Sequence, residues 1–216
     1  MLMFEIIPAI LEKEWGEIEK KIELVKPFTK SVHIDIIDGK FTDNITFLDP
    51  APFKKYTNDL FFELHMMVED PVSYLKSWAD VGFKRFLGHI EKMPDQEEFV
   101  ARAQQLGEVG LALDGPTEFS DVKVPIIDLD TLYFYTAESV GHSGAVLKQD
   151  RLEKFRKFAE ENSIPIGVDG GINENTIVDA FKAGARRFGV TNGIFKADNP
   201  QKSFIKLNEA CNRLLR

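Results

Sequence analysis

Eight alternating strand–helix units, closed into a barrel, are what this 216-residue sequence predicts. Three observations lead there. Short apolar, β-branched runs alternate with stretches of helical periodicity along the whole chain. Eight such units would leave exposed edges in an open sheet, whereas a closed α/β barrel, the (β/α)8 TIM barrel, has none. The glycine-rich turn expected after the first strand of a doubly wound sheet, the fallback architecture, is missing. The length suits one domain over residues 1–216, with no linker or low-complexity stretch to divide it.

Met3 to Ile7 reads as a first strand stopped by Pro8, and Leu11 to Val25 as a helix with Trp15, Ile18, Ile22 and Val25 on one face. Ser31 to Gly39 reads as a second strand running into a turn, followed by a short helix over Pro50 to Tyr56. Leu60 to Val68 gives the third strand. The next helix has Asp70 as its expected N-cap, Pro71 at its first position and Gly82 at its end. Arg85 to His89, Val109 to Leu113, Leu132 to Thr136, Ile164 to Asp169 and Arg187 to Val190 supply the remaining strands. Helices are expected over Asp95 to Leu106, Gln149 to Asn162, Thr176 to Ala183 and Pro200 to Leu214. Only a broken turn of helix is expected between Gly115 and Pro125, and Gly141 to Gly144 reads as a loop.

Hydrophobic residues make up 44% and charged residues 29%, which describes a globular protein and excludes a disordered or collagen-like chain. The net charge of −8, with no cluster of Lys and Arg, argues against a nucleic-acid surface. Cys211 has no second cysteine to pair with, so the fold does not depend on an oxidising compartment. The N-terminal apolar run is broken by Glu5 and lacks a basic leader, so it does not read as a signal peptide. No stretch approaches a membrane span, and the expected address is the cytoplasm.

The second strand carries His33 and Asp35 among Val32, Ile34, Ile36 and Ile37. Residues two apart on a strand share a face, so the imidazole and the carboxylate converge while the aliphatic side chains pack behind. A divalent metal would turn two costly buried polar groups into ligands; a hydrogen-bonded His/Asp pair without metal would satisfy them as well. The barrel extends the set. Residues at the C-terminal ends of the strands share one mouth, and His65 and Asp169 lie at the ends of the third and seventh. His89 with Glu91 is read as a hydrogen-bonded wall pair, Asp128 and Asp130 as a solvated turn, and Asp114 as either a turn former or a substrate contact.

Five segments occur in order: Ile7-Pro8-Ala9-Ile10-Leu11; His33 to Phe41 running on to Asn44-Ile45-Thr46-Phe47; His65 to Pro71; Gly110 to Leu113; and Val168-Asp169-Gly170-Gly171-Ile172-Asn173. In these the chain resembles the ribulose-phosphate 3-epimerase family over nearly its whole length. The resemblance implies one divalent ion, zinc or iron first and manganese or cobalt as alternatives, held by His33, Asp35, His65 and Asp169. It implies Asp35 and Asp169 as the acid/base pair that inverts C3 of a ketose phosphate, D-ribulose 5-phosphate to D-xylulose 5-phosphate or a close analogue, through a 2,3-enediolate. It further implies substrate contacts from His65, Met67, Gly141, His142, Ser143, Gly144, Gly170, Gly171, Thr191 and Asn192. The expected partner is a small sugar phosphate, with no nucleic acid or membrane, in a homo-oligomer.

Departures from the family pattern fall around the substrate. Ala9 stands where the family has a substrate-contacting serine, Ile37 and Tyr135 replace methionines, and Thr191-Asn192 replaces Gly-Ser. The family's Gly-Phe-Gly-Gly becomes Gly141-His142-Ser143-Gly144, with a one-residue insertion near Val140. Two other readings accompany the epimerase. One keeps the barrel for aldol or decarboxylation chemistry, whose Asp-x-Lys-x-x-Asp pattern is absent; the other is a non-catalytic barrel that binds metal or a phosphosugar, which the altered phosphate cradle favours.

Overall fold

The computed structural model describes residues 4–138, 140–142 and 144–215. Eight parallel strands close in chain order into one barrel: β1 (Glu5–Ile10), β2 (Ser31–Ile37), β3 (Phe61–Met67), β4 (Arg85–His89), β5 (Glu108–Leu113), β6 (Thr131–Tyr135), β7 (Ile166–Asp169) and β8 (Ala185–Val190). The helices are α1 (Trp15–Val25), α2 (Val72–Val81), α3 (Gln96–Gln104), α4 (Gln149–Glu161), α5 (Ile177–Lys182), α6 (Asn192–Phe195) and α7 (Pro200–Arg213). Short 3₁₀ turns stand in for helices after β2 (Ala51–Lys55) and after β5 (Phe119–Asp121 and Ile126–Asp128). Among the described residues, no helix is long and apolar enough to cross a membrane.

Period-2 alternation divides the strands into two environments. Val32, Ile34 and Ile36 of β2, with Phe62, Leu64 and Met66 of β3, belong to the main apolar core. The intervening residues His33, Asp35, Glu63 and His65 are just as buried and form a polar network. An apolar trio of Leu87, Ala112 and Tyr133 packs beside the two imidazoles, with the Tyr133 ring centroid 5.7 Å from those of both His33 and His65.

Several expected boundaries move, each for a local reason. The first strand does not stop at Pro8. It runs to Ile10, because β1 pairs with β8 through Pro8↔Val190 and with β2 from Ala9↔His33, so the residue lacking an N–H falls where pairing passes from one neighbour to the other. The described strand begins after Met3, which lies outside the described residues. Helix α1 starts at Trp15, since Glu14 is extended and Leu11 to Glu14 form the connection over the barrel rim. Pro71, not Asp70, occupies the N-cap position of α2: its ring already fixes a helical φ of −66°, and no side chain caps the turn. Asp95 caps α3 through Glu98 N–H, and Asn199 caps α7 through Lys202 N–H. The four-residue α6 was not expected from the sequence; it turns the chain immediately after β8.

Gly167 shows how tightly the interior is filled. A Cβ there would fall inside the van der Waals envelope of the Tyr133 ring. Overpacking of this kind costs about 1–3 kcal/mol, so Gly167→Ala should lower the urea midpoint with an unchanged m-value, and adding Tyr133→Leu should recover most of the loss. A destabilisation that persists in the double variant would mean the ring is not the obstacle.

Candidate active site

Strand register brings the polar residues together. Asp35 of β2 pairs with His65 of β3, and Asp169 ends β7 beside Tyr135 of β6. Ligand atoms of His33, Asp35, His65 and Asp169 all lie within 4.8 Å of one another. All four residues are buried. Asp35 Oδ1 is 3.1 Å from His33 Nε2 and 2.8 Å from His65 Nδ1, while Asp169 Oδ2 is 3.8 Å from His65 Nδ1. Asp169 Oδ1 accepts the Gly170 N–H at 2.8 Å, which holds the carboxylate at the strand end.

The two carboxylates differ in proton affinity although they share a site. Burial by itself would raise Asp35, but the charge and hydrogen bonds of His33 and His65 outweigh it and hold this carboxyl below its ordinary range. Asp169 moves the other way: burial raises it, and the Asp35 charge raises it further. His65 is lowered to about 4, chiefly by burial, against its hydrogen bond to Asp35. Desolvation also opposes charge on His33, yet Asp35 and Glu63 prevail and raise it.

This donor set fits a divalent cation. Two ring nitrogens and two carboxylates form a nitrogen–oxygen cluster of ligand size, and the mutual repulsion that raises Asp169 is what a central positive charge would relieve.

A cavity of about 330 Å³ opens above these residues, and Asp35 and Asp169 line it. Met67, Gly141, His142, Gly144, Gly170, Gly171, Thr191 and Asn192 also line it, while His33 and His65 lie beneath. Ser143 falls outside the described residues. Gly170 and Gly171 have φ of 97° and 79°, and side chains at either would strike the backbone of the β6–α4 connection at Ala137 and Leu147. Tyr135 adds its ring to the lining and donates its hydroxyl toward His142 O at 3.4 Å. Ala9 is fully buried and pairs with His33.

The weaker candidates take structural positions. His89 Nδ1 lies 2.9 Å from Glu91 Oε2, as expected of a wall pair, and the ring packs 4.9 Å from that of His65. Asp114 Oδ1 accepts the Gly115 N–H at 2.7 Å and faces Arg151 Nη1 at 3.3 Å, which makes it a turn former. Asp128 sits on an exposed turn, and Asp130 accepts the Val109 N–H at 2.8 Å. Sequence reasoning missed Glu63, whose carboxylate lies 2.5 Å from His33 Nδ1. An acid between Phe62 and Leu64, two residues before His65 on the same strand face, was the available signal.

A family model described as the ribulose-phosphate 3 epimerase family matches residues 5–195. The ribulose-phosphate 3-epimerase of Schizosaccharomyces pombe is 29% identical over 211 residues, covering 94% of this chain and 91% of its own. That of Chlamydia muridarum is 30% identical over 180 residues, covering 78% and 77%. Among solved structures, 3-hexulose-6-phosphate synthase from Salmonella typhimurium superposes with a TM-score of 0.73 at 16% identity over 97% of this chain and 99% of that one. The 3-keto-L-gulonate-6-phosphate decarboxylase from Vibrio cholerae gives 0.72 at 12% identity over 99% of each chain. At these identities the two structures share the fold.

Glu91 provides a pH test of the wall. Burial would raise its carboxyl, but His89 and the donors Asp114 N–H and Thr117 Oγ1–H lower it to about 2. A depressed carboxyl stabilises the fold above its unfolded pKa and loses that contribution as pH falls through the folded value. Urea melts should therefore show Glu91→Gln less stable than the parent by on the order of 2–3 kcal/mol at pH 7, with the gap closing between about pH 4.5 and 2.

Proposed function

The chain belongs to the ribulose-phosphate 3-epimerase family, and from that footing we propose that it is a metal-dependent isomerase that inverts C3 of a ketose phosphate, D-ribulose 5-phosphate to D-xylulose 5-phosphate or a close analogue. The observation that carries this reading is the pair of buried carboxylates, Asp35 and Asp169, which line one cavity and cluster with His33 and His65 within 4.8 Å. A C–H beside a ketone is a weak acid, and inversion needs one group to take the proton from one face and another to deliver one to the opposite face. In one direction one of the two carboxyl groups takes the C3 proton as base and the other delivers one from the opposite face as acid; the reverse reaction exchanges the roles. A divalent ion held by His33, Asp35, His65 and Asp169, zinc or iron first and manganese or cobalt as alternatives, would supply positive charge against the negative charge that builds on the substrate as a 2,3-enediolate forms.

Gly141, Gly144, Gly170 and Gly171 line the same cavity and suit a phosphate, which backbone N–H groups can approach closely only where side chains are small, while Thr191 and Asn192 complete the proposed cradle with bulkier side chains. His142 and Met67 complete the proposed substrate contacts. Thr191 and Tyr135 in that lining favour a ketose phosphate other than ribulose 5-phosphate as a second reading. Aldol or decarboxylation chemistry lacks support, since no lysine is among the described residues lining the cavity. The whole chain is proposed to act as one domain, in the cytoplasm and as a homo-oligomer, with a cytoplasmic isoform named among its relatives.

Elemental analysis of the purified protein should find about one divalent ion per chain, and removing it should abolish turnover until zinc, iron, manganese or cobalt is restored. Asp35→Asn and Asp169→Asn should each cut kcat by at least about 10²–10⁴-fold, and solvent deuterium should still enter C3 in whichever variant keeps a working base. Near-normal turnover in both would sink the mechanism.

The cradle can be tested separately. Thr191→Gly combined with Asn192→Ser should lower KM for a five-carbon ketose phosphate while leaving kcat nearly unchanged, the signature of uniform binding. An unchanged or higher KM would favour the second substrate reading.

A further inference from the structure

His33 presents one ring nitrogen to the site, and its other nitrogen is already engaged. Nδ1 lies 2.5 Å from Glu63 Oε1, and both residues have no exposed surface. The second oxygen of Glu63 accepts a hydrogen bond from Arg85 Nη1 at 2.5 Å. Arg85 Nε in turn donates to Glu108 Oε2 at 2.7 Å, and its Nη1 lies 3.4 Å from Glu5 Oε2. Neighbouring strands place these groups side by side, since His33 pairs with Glu63, Glu63 with Arg85 and Arg85 with Glu108. A chain of charged contacts therefore leads from the start of β5 across β4 and β3 to the imidazole.

We propose that Glu63, held by Arg85, is a positioning residue for His33: it accepts a hydrogen bond from Nδ1–H and so turns Nε2 toward Asp35 and the centre of the cluster, where it would ligate the metal. The inference rests on the reading of His33 as a metal ligand. A neutral imidazole carries one donor and one acceptor nitrogen, and the hydrogen bond at one decides which form the other takes. A carboxylate behind a ligating histidine fixes both tautomer and ring orientation and makes the ligand more basic. Packing does not explain the acid, because its chain neighbours Phe62 and Leu64 are apolar core residues and an aliphatic side chain would fill the same volume without needing a guanidinium. His65 differs: its Nδ1 faces the carboxylates and its Nε2 has no hydrogen-bond partner among the described residues. The orienting contact serves one imidazole of the two.

The experiment compares the parent, Glu63→Gln, the neutral pair Glu63→Gln with Arg85→Met, and Asp80→Asn. Zinc affinity is read by chelator competition, and the His33 Nδ1–H proton by NMR of histidine-labelled protein with and without zinc. Circular dichroism confirms folding, and the neutral pair covers the case in which Glu63→Gln leaves Arg85 buried without its partner. Glu63→Gln and the neutral pair should weaken zinc binding by about 10–100-fold and move the far-downfield Nδ1–H resonance. Asp80→Asn, an exposed partner of Lys76 outside this network, should stay within about twofold of the parent. Unchanged zinc affinity or an unmoved Nδ1–H resonance in a folded Glu63 variant would overturn the proposal. If the parent binds no zinc, iron, manganese or cobalt, the ligand reading fails instead, and the Nδ1–H resonance of the metal-free proteins alone decides whether Glu63 orients the ring.

Discussion

The buried hydrogen bond between Glu63 and His33 sets requirements that reach across half the barrel. A carboxylate with no exposed surface must be neutralised, because leaving one partner of a buried ion pair uncompensated costs roughly 3–5 kcal/mol. Arg85 does this, and the guanidinium, itself nearly buried, needs acids of its own in Glu5 and Glu108. Arg187 joins from β8 with Nη2 3.3 Å from Glu108 Oε2. Each group answers the desolvation of the one before it, until the series reaches residues with some contact with water.

Closure of the sheet makes that series possible. In a parallel barrel the inward residues of adjacent strands lie side by side, so register places His33, Glu63, Arg85 and Glu108 in neighbouring positions. The same geometry crowds large groups together elsewhere, and Gly167 gives Tyr133 the room its ring needs beside His33 and His65. The apolar side chains of the alternate positions pack outward beneath the helices, which leaves the interior to hold polar groups in fixed geometry. Rigid strands therefore carry the four clustered side chains, whereas the connections after β6, β7 and β8 form the cavity rim.

Local information stops where a residue's partners are distant in sequence. Pro8 reads as a strand breaker in isolation, and only the handover of pairing between β8 and β2 explains why the strand continues through it. Asp70 and Pro71 form a plausible capping pair by composition, but a proline already at helical φ takes the cap position. Helix α6 is four residues long, too short for periodicity to reveal. Ser143 belongs to the family-like loop, yet it lies outside the described residues.

The sequence by itself determined the alternation of eight strands and their connecting segments, the membership of His33, Asp35, His65 and Asp169 in one group, and the likeness to a family. Hydrophobic period and the order of short motifs are local properties, so they can be read along a chain. Tertiary structure alone decided that Asp35 and Asp169 differ in proton affinity, since burial and neighbouring charge depend on strands distant in sequence. It also decided that Glu63 belongs behind His33. The two residues are thirty positions apart, and what joins them is the register of two parallel strands, which no single stretch of sequence contains.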